Sequence, residues 1–583
     1  MFRSQESEVS KFEKLQLALF LAYSISFPYP TDMARPLRFI VLLVTGVPIM
    51  KLLSGVILSL SVITPAVKAQ SDYEPLYAPR VTTGNGMVEG INDSGVDLFK
   101  GIPFAQPPVG PLRWKPPQPV QNWPGVRKAD HFGPGCMQRR IFSDMKFRYP
   151  NQSEDCLYLN IWTPSNRGKK RCPVLVYFYG GGFMTGDGSE YRYDGESMAR
   201  NEGIVTVTVN YRLNVFGFFA YPELTIESPH HASGNYGLLD QVQALRWVKQ
   251  NITAFGGDPD KVTIAGESAG SMSVSGLMAS PLSKKLFRGA IGESGGLFGP
   301  LTPASLSKGE KNGIKFANLV GAHNLKELRN MSSESLLKAT ASPGAPSFSV
   351  IVDGYFLPET PAAIFSAGKQ AHIPLLLGWN SAESNYQALL QGQKPTPENF
   401  IAALKHLYDD HADQVLGVFP HANEKEVMTS GTDLASDRFT AFSTWKWGDL
   451  QTQTGNASVY RYYYSRPRPA MRGTSPQNPP APLGAVHSAE IEYVMGNLPT
   501  NRVYDWQPED YKISHIFQGF VANFVKKGNP NGLGLPGWPP LNQGKTRQIM
   551  HIDTNTRLEP VQHRKQMLLL DQLYKERMNA SKH

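Results

Sequence analysis

Short apolar runs recur along the chain after about residue 78, and polar, glycine-rich loops separate them. Continuous apolar runs of this kind are typical of strands that are buried on both faces of a sheet. They read "PVLVYFY", "GIVTVTVNYRL", "KVTIAG", "RGAIG", "IPLLLG" and "SVYRYYYS". The pattern therefore predicts several central strands, together with an opening hairpin over "RVTTGNGMVEGIND".

Helical patterns lie between these strands. The segment "GLLDQVQALRWVKQNITAFGG" has apolar residues at helical spacing, and it predicts a helix with its N-cap at Asn235 or Gly237. Strands that alternate with helices predict an α/β fold with a large, mostly parallel central sheet flanked by helices. Because such sheets place their active sites at the carboxyl ends of the strands, we expect the chemistry in the loops that follow the apolar runs.

The first 69 residues have a different pattern from the rest. Residues 37–64 are strongly apolar, and Lys51 interrupts them. From Met50, the segment "MKLLSGVILSLSVITPAVKAQ" has the basic start, apolar run and small-residue end of a secretory signal, with cleavage predicted after Ala69. An uncleaved membrane anchor is the alternative, since about 20 apolar residues can span a bilayer. The residues before Met50 are interpreted as a long extension of the signal or as the result of a misassigned start.

This interpretation gives a signal peptide over residues 1–69, with a possible misassigned extension, and a single α/β domain over residues 70–583. One large core agrees with the composition, in which 41% of residues are hydrophobic and 18% are charged. The formal net charge is +9, but the basic residues do not cluster, which argues against a nucleic-acid partner. Since no cysteine or histidine spacing indicates a metal site, we expect no metal and no cofactor.

Two serines, Ser268 and Ser294, lie in the pattern G-x-S-x-G. That pattern can mark a nucleophile elbow, a sharp turn from a strand into a helix that exposes the serine oxygen. The residues after Ser268, "AGSMSVSGLMAS", can form a helix at once, whereas "GGLFGPLTPAS" after Ser294 contains glycines and prolines that prevent one. We therefore predict that Ser268 is the nucleophile. Ten of the 13 histidines follow it, so chain order alone does not identify the base.

Seven motifs, in this order along the chain, carry a resemblance to a known family. They are "FKGIPFAQPPVGPLRW", "SEDCLYLNIWTP", "YGGGF", "NYRLNVFGF", "GNYGLLDQVQALRWVKQNITAFGGDP", "GESAGSMSV" and "GAVHSAEIEYVMG". Over nearly all of residues 78–575 the chain resembles the type-B carboxylesterases, a family of α/β hydrolases that includes the cholinesterases. The resemblance favours the bacterial type of carboxylesterase, and it implies an α/β-hydrolase fold and ester hydrolysis through an acyl-enzyme.

Matched by position, the resemblance implies a catalytic triad in which Ser268 attacks, His487 is the base and Glu383 is the acid. Two serines depart from the family pattern: Ser384 follows the acid and Ser488 follows the base, where the family usually has glycine. Both departures concern the geometry of the loops more than the triad itself.

The same resemblance implies further residues around the triad. They are the amides of Gly181, Gly182 and Ala269 as an oxyanion hole, Glu267 and Ser294 as neighbours of the triad, a disulfide between Cys136 and Cys156, and the ion pairs Arg113–Glu154 and Arg212–Asp240.

The loop between the two paired cysteines, "MQRRIFSDMKFRYPNQSED", bears on the substrate. It lacks the tryptophan over which cholinesterases hold a quaternary ammonium, so choline esters are not expected. Its cations, Arg139, Arg140, Lys146 and Arg148, predict a preference for esters that carry a carboxylate. A solvated loop without a substrate role is the alternative.

The predicted function is an exported serine carboxylester hydrolase that acts on small or medium organic esters, with water as the second substrate. A non-catalytic adhesion protein of the same family and a membrane-anchored esterase are the alternatives.

Overall fold

The apolar runs form the strands of one large sheet. The computed structural model describes residues 78–166, 168, 170–473, 483–542, 547–561 and 563–580. The strands within these residues, β1–β18 in chain order, are Arg80–Thr83, Gly86–Glu89, Ile91–Asp93, Val96–Pro103, Val126–Lys128, Gly135–Cys136, Gln152–Ser153, Tyr158–Pro164, Cys172–Phe178, Val205–Val209, Gly257–Glu267, Gly289–Glu293, Ala304–Ser305, Ile351–Val352, Leu375–Asn380, Val459–Tyr464, Gln548–Ile552 and Arg557–Pro560.

The large sheet has 11 strands, in the order β18-β17-β16-β15-β12-β11-β9-β10-β8-β4-β3. The strands from β17 to β10 in this order run parallel to their neighbours. Antiparallel strands complete the sheet, with β18 at one edge and β8, β4 and β3 at the other. Every residue of β10 is buried, as expected for a strand that is covered on both faces. The predicted fold class is confirmed.

The helices cover this sheet. Within the described residues the α-helices, α1–α17 in chain order, are Glu196–Glu202, Asn214–Phe218, Pro222–Glu227, Tyr236–Asn251, Ala269–Ala279, Leu306–Leu319, Leu325–Asn330, Ser333–Ala339, Pro361–Ser366, Tyr386–Leu389, Pro397–Tyr408, Ala412–Leu416, Glu424–Ser436, Phe442–Thr454, Ile491–Met495, Pro508–Lys527 and Arg564–Ala580. A short π-helix, Asp437–Ala441, joins α13 to α14. Helices α1 and α16 contact each other and the sheet, and α4, α5, α9 and α14 form a second connected group on it.

The local predictions for the first half of the chain are confirmed. The opening hairpin is the antiparallel pair β1 and β2. The helix predicted after it is α4, and its N-cap is Asn235. The Asn235 side chain does not cap the helix, because it exchanges two hydrogen bonds of 2.8 and 3.1 Å with the backbone of Ile351.

The covalent and ionic pairs implied by the resemblance are also present. A disulfide joins Cys136 to Cys156. The remaining pairs are two ion pairs, the part-buried Arg113–Glu154 and the buried Arg212–Asp240, with closest approaches of 2.5 and 2.7 Å.

The predicted signal peptide, residues 1–69, lies outside the described residues, as do residues 70–77. None of the helices that the structure describes is both long and apolar enough to cross a bilayer.

Candidate active site

Ser268 lies on a sharp turn between β11 and α5. Its backbone has φ 56° and ψ −121°, a strained combination for a residue with a side chain. Small neighbours make the turn possible, because a Cβ atom on Gly270 would lie 2.0 Å from the carbonyl oxygen of Phe178. The amide of Ser268 donates a 2.8 Å hydrogen bond to the carbonyl of Glu293. This is the strand–turn–helix geometry that a nucleophile elbow requires.

Ser268 is in contact with the predicted base and, through it, with the predicted acid. His487 Nε2 is 2.9 Å from Ser268 Oγ, and His487 Nδ1 is 2.5 Å from Glu383 Oε2. Glu383 follows β15 and is fully buried, while His487 lies on the loop before α15. The Phe439 ring and the imidazole pack in a T-shaped arrangement at a centroid distance of 4.9 Å. The structure thus brings together three residues that are far apart in the sequence.

Ser294, the second G-x-S-x-G serine, holds the acid. Its Oγ donates a 2.5 Å hydrogen bond to Glu383 Oε1, and the amide of Asn380 donates a 2.6 Å bond to the same oxygen. The other carboxylate oxygen of Glu383 remains for His487. These contacts fix the orientation of the acid, so Ser294 lies where the resemblance implies.

Sequence reasoning missed two members of this hydrogen-bonded group. Glu490 accepts a 3.2 Å bond from Ser294 Oγ and a 2.5 Å bond from the side chain of Asn380. Burial, followed by the nearby Glu383 carboxylate, raises the pKa of Glu490 above its usual range. Their positions in the sequence are the signals that could have identified these two residues. Asn380 is a polar residue at the end of an apolar strand, and Glu490 is an acidic residue three positions after the histidine.

Glu267 lies beside the imidazole, on the side that faces the serine. Its Oε1 is 3.2 Å from His487 Nε2. Burial raises the pKa of Glu267, while the charge of His487 opposes that rise. Burial alone would lower the pKa of His487, but the carboxylates of Glu267 and Glu383 outweigh it and raise that pKa. Both carboxylates therefore favour the protonated form of the imidazole.

The glycine loop after β9 packs against this centre. Gly181 has φ 108° and Gly182 has φ 65°, conformations that a residue with a side chain rarely adopts. A Cβ atom on Gly180 would lie 2.5 Å from the Glu267 carboxylate. Within the described part of the chain, the amides of Gly181 and Gly182 donate no hydrogen bond. They can therefore serve as oxyanion donors, together with the amide of Ala269 at the N-terminus of α5.

The two serines that replace glycines behave differently. Ser488 has φ 66°, which explains why glycine is the usual residue after the base. Ser384 is buried after the acid, its φ is not positive, and the hydroxyl of Ser436 both accepts from its amide and donates to its carbonyl. The departures from the family pattern are therefore accommodated without separating the three triad side chains.

The cations of the basic loop, residues 137–155, are not all available to a substrate. Arg148 forms a two-pronged ion pair with Asp194 and packs over the rings of Phe132 and Tyr191. Its charge is therefore already matched inside the protein, whereas Arg139 and Lys146 are exposed.

Known proteins resemble this chain along most of its length. The profile of the carboxylesterase family matches residues 77–570. The chain is 37% identical to the fumonisin B1 esterase of Sphingopyxis macrogoltabida, a match that covers 81% of this chain and 86% of that protein. It is 34% identical to the para-nitrobenzyl esterase of Bacillus subtilis (strain 168), over 82% of this chain and 96% of that one.

A solved structure of a PNB esterase superposes with a TM-score of 0.70 at 32% identity, covering 85% of this chain and all of the other. Since the family profile also spans nearly all of the described residues, the chain belongs to the carboxylesterase family and is a carboxylic ester hydrolase.

Proposed function

We propose that the protein is an exported esterase that hydrolyses small or medium organic esters through an acyl-enzyme on Ser268. The observation that supports this most strongly is the chain of contacts from Ser268 Oγ through His487 to Glu383. A serine hydroxyl is a weak nucleophile unless a base takes its proton and a third group orients that base. All three groups are within hydrogen-bonding distance.

In the first half-reaction, Ser268 Oγ attacks the carbonyl carbon of the ester and gives its proton to His487 Nε2. Glu383 stabilises the resulting imidazolium. The carbonyl oxygen becomes an oxyanion that the amides of Gly181, Gly182 and Ala269 stabilise, at about 3 kcal/mol per donor. The bond to the alcohol then breaks, and the alcohol leaves with the proton from His487.

In the second half-reaction, water attacks the acyl carbon and gives a proton to His487. The bond to Ser268 breaks, the serine takes the proton back, and the carboxylic acid leaves. Glu267 Oε1 lies 3.2 Å from His487 Nε2, beside the imidazolium in both halves.

Partition of the acyl group tests the proposed intermediate. Two esters that share an acyl group but differ in their alcohol should give the same ratio of methyl ester to acid when methanol is added, because both pass through the same acyl-enzyme. A ratio that depends on the leaving alcohol would mean that water attacks the ester directly.

Export is the second part of the proposal, and the signal-like segment from Met50 supports it. N-terminal sequencing of protein recovered outside the cytoplasm of a producing cell should begin at Gln70. Recovery of the intact chain from detergent-extracted membranes would instead support an anchor made from residues 37–64.

A further inference from the structure

The loop closed by the disulfide places one carboxylate against two arginines. Asp144 Oδ2 lies 3.4 Å from Arg192 Nη1 and 3.9 Å from Arg468 Nη1. Arg192 belongs to a single helical turn that follows the glycine loop, and Arg468 follows β16. Three separate segments of the chain therefore meet at this cluster of charges.

The cluster begins one residue away from the candidate base. Arg192 Nη1 donates to Ser488 Oγ at 3.1 Å, and Arg468 Nη2 donates to the carbonyl of Ser488 at 2.6 Å. His487, the preceding residue, contacts Ser268. Burial alone would raise the pKa of Asp144, but the charges of Arg192 and Arg468 outweigh burial and lower it, and the charge of His487 adds to that lowering. The two guanidinium groups thus contact the residue that follows the candidate base.

The members of this cluster differ in exposure. The side chains of Arg192 and Arg468 are 5% and 8% exposed, whereas that of Asp144 is 36% exposed. Buried carboxylates support the arginines from within: Glu190 accepts from Arg192 Nε at 2.7 Å, and Glu492 accepts from Arg468 Nη2 at 3.3 Å. Asp144 therefore covers the pair from the solvent side.

The contacts between Asp144 and the two arginines are long for ion pairs. Charge-assisted hydrogen bonds usually measure about 2.7–2.9 Å, and both of its contacts are longer. A guanidinium carries five N–H donors, and Nε of Arg468 has no hydrogen-bond partner among the residues that the structure describes. A second carboxylate could replace Asp144 without changing the charge balance of the cluster.

We propose that Arg192 and Arg468 bind a free carboxylate of the substrate, and that Asp144 occupies this position until the ester arrives. The preferred substrates are then half-esters of dicarboxylic acids, or esters with an equally placed acid group. This inference rests on the proposed function and assigns its substrate class. It also assigns the selectivity to two buried arginines and not to the exposed cations of the loop.

Matched pairs of esters test the proposal. Monoethyl succinate, glutarate and adipate are compared with the ethyl esters of the unsubstituted acids of equal carbon number, and kcat/KM is measured by titration of the released acid. The quantity of interest is the ratio of kcat/KM for the charged ester to that for the neutral ester within one variant. In the unaltered protein this ratio should exceed one for at least one chain length.

Arg468→Gln should lower the ratio about tenfold, because it removes charge-assisted hydrogen bonds to the carboxylate. Asp144→Asn should raise the ratio several-fold, because a neutral amide competes less well for the arginines. Arg139→Gln is the matched control, since it removes an exposed charge from the same loop and should change the ratio less than twofold. An unchanged ratio in both Arg468→Gln and Asp144→Asn would overturn the proposal. The proposal would also fail if Arg139→Gln lowered the ratio as much as Arg468→Gln does.

Inhibition provides a measurement that does not depend on the folding of Arg468→Gln. Glutarate should inhibit hydrolysis of ethyl pentanoate more strongly than pentanoate does, and Asp144→Asn should widen that difference. Equal inhibition by the two acids in both proteins would contradict the proposal.

Hydrolysis of the neutral esters is the separate test of the proposed function. If the unaltered protein hydrolyses neither the charged nor the neutral esters, the proposed function itself fails. If it hydrolyses both at equal kcat/KM, only the carboxylate site is rejected.

Discussion

Two turns of this molecule share a sequence pattern but differ in their partners. Ser268 and Ser294 both lie in G-x-S-x-G, both follow neighbouring parallel strands, and both have φ 56°. A helix begins immediately after Ser268, whereas the next α-helix after Ser294 begins only at Leu306. Ser268 Oγ meets the imidazole of His487, and Ser294 Oγ meets the carboxylate of Glu383.

The difference shows that neither the pattern nor the strained backbone is sufficient for a nucleophile. A serine becomes nucleophilic when its hydroxyl proton can pass to a base. Ser294 Oγ forms hydrogen bonds to the acid of the triad and to Glu490, so it holds the acid in place. In the proposed mechanism the same local turn is used once for attack and once for support.

The largest expected effect comes from removing each of the two serine hydroxyls in turn. Ser268→Ala should lower kcat/KM for a neutral ester about 10⁵-fold, since it removes the attacking atom. Ser294→Ala should lower it only about tenfold, because it removes one hydrogen bond to Glu383. The two variants are controls for each other in one steady-state assay, and a reversed order of losses would show that the roles of the two serines are interchanged.

The glycines that follow the serines should also differ in their sensitivity. A Cβ atom on Gly270 would lie 2.0 Å from a backbone oxygen, whereas one on Gly296 would approach no atom closer than 3.1 Å. Gly270→Ala should therefore cost about 3 kcal/mol or more of unfolding free energy, and Gly296→Ala about 1 kcal/mol. Denaturant unfolding of both variants measures this, and equal losses would mean that the two turns are packed alike.

The smallest effect concerns Glu267, the carboxylate beside the imidazole that Ser268 meets. His487 must be neutral to accept the serine proton, and the charge of Glu267 raises its pKa. Glu267→Gln should therefore move the acid limb of the pH profile of kcat/KM to lower pH. It should also lower the plateau by about tenfold or less, since an imidazolium partner is lost.

Exposed Glu359 provides the control for that profile, because Glu359→Gln removes a carboxylate that pairs with Lys369 at the surface. Its acid limb should coincide with that of the unaltered protein. An acid limb that stays in place or moves to higher pH in Glu267→Gln would show that Glu267 does not raise the pKa of His487.

Much of this arrangement could be predicted from the sequence, because local patterns carry it. Continuous apolar runs identify buried strands such as β10. The residues after Ser268 can form a helix and those after Ser294 cannot, which distinguishes the two turns. The contacts of Glu383 and His487 could be expected only through a family resemblance, since 104 residues separate them. Neither strand spacing nor chain order determines which histidine reaches the elbow.

The parts that the sequence did not predict depend on long-range packing. Glu490 and Asn380 join the triad only because two loops meet at the carboxyl edge of the sheet. Arg148 looks like a free cation in its loop, yet Asp194 pairs with it from a distant segment. Charges of this kind can be assigned only when the folded position of their partners is known.

The most direct test of the account is to find which serine reacts. The protein is inactivated with a fluorophosphonate, a reagent that phosphonylates activated serine hydroxyls, and the modified peptide is identified by mass spectrometry. We predict one adduct per chain, on Ser268, with Ser294 unmodified. Inactivation accompanied by an adduct on Ser294, or complete inactivation with Ser268 unmodified, would contradict the account.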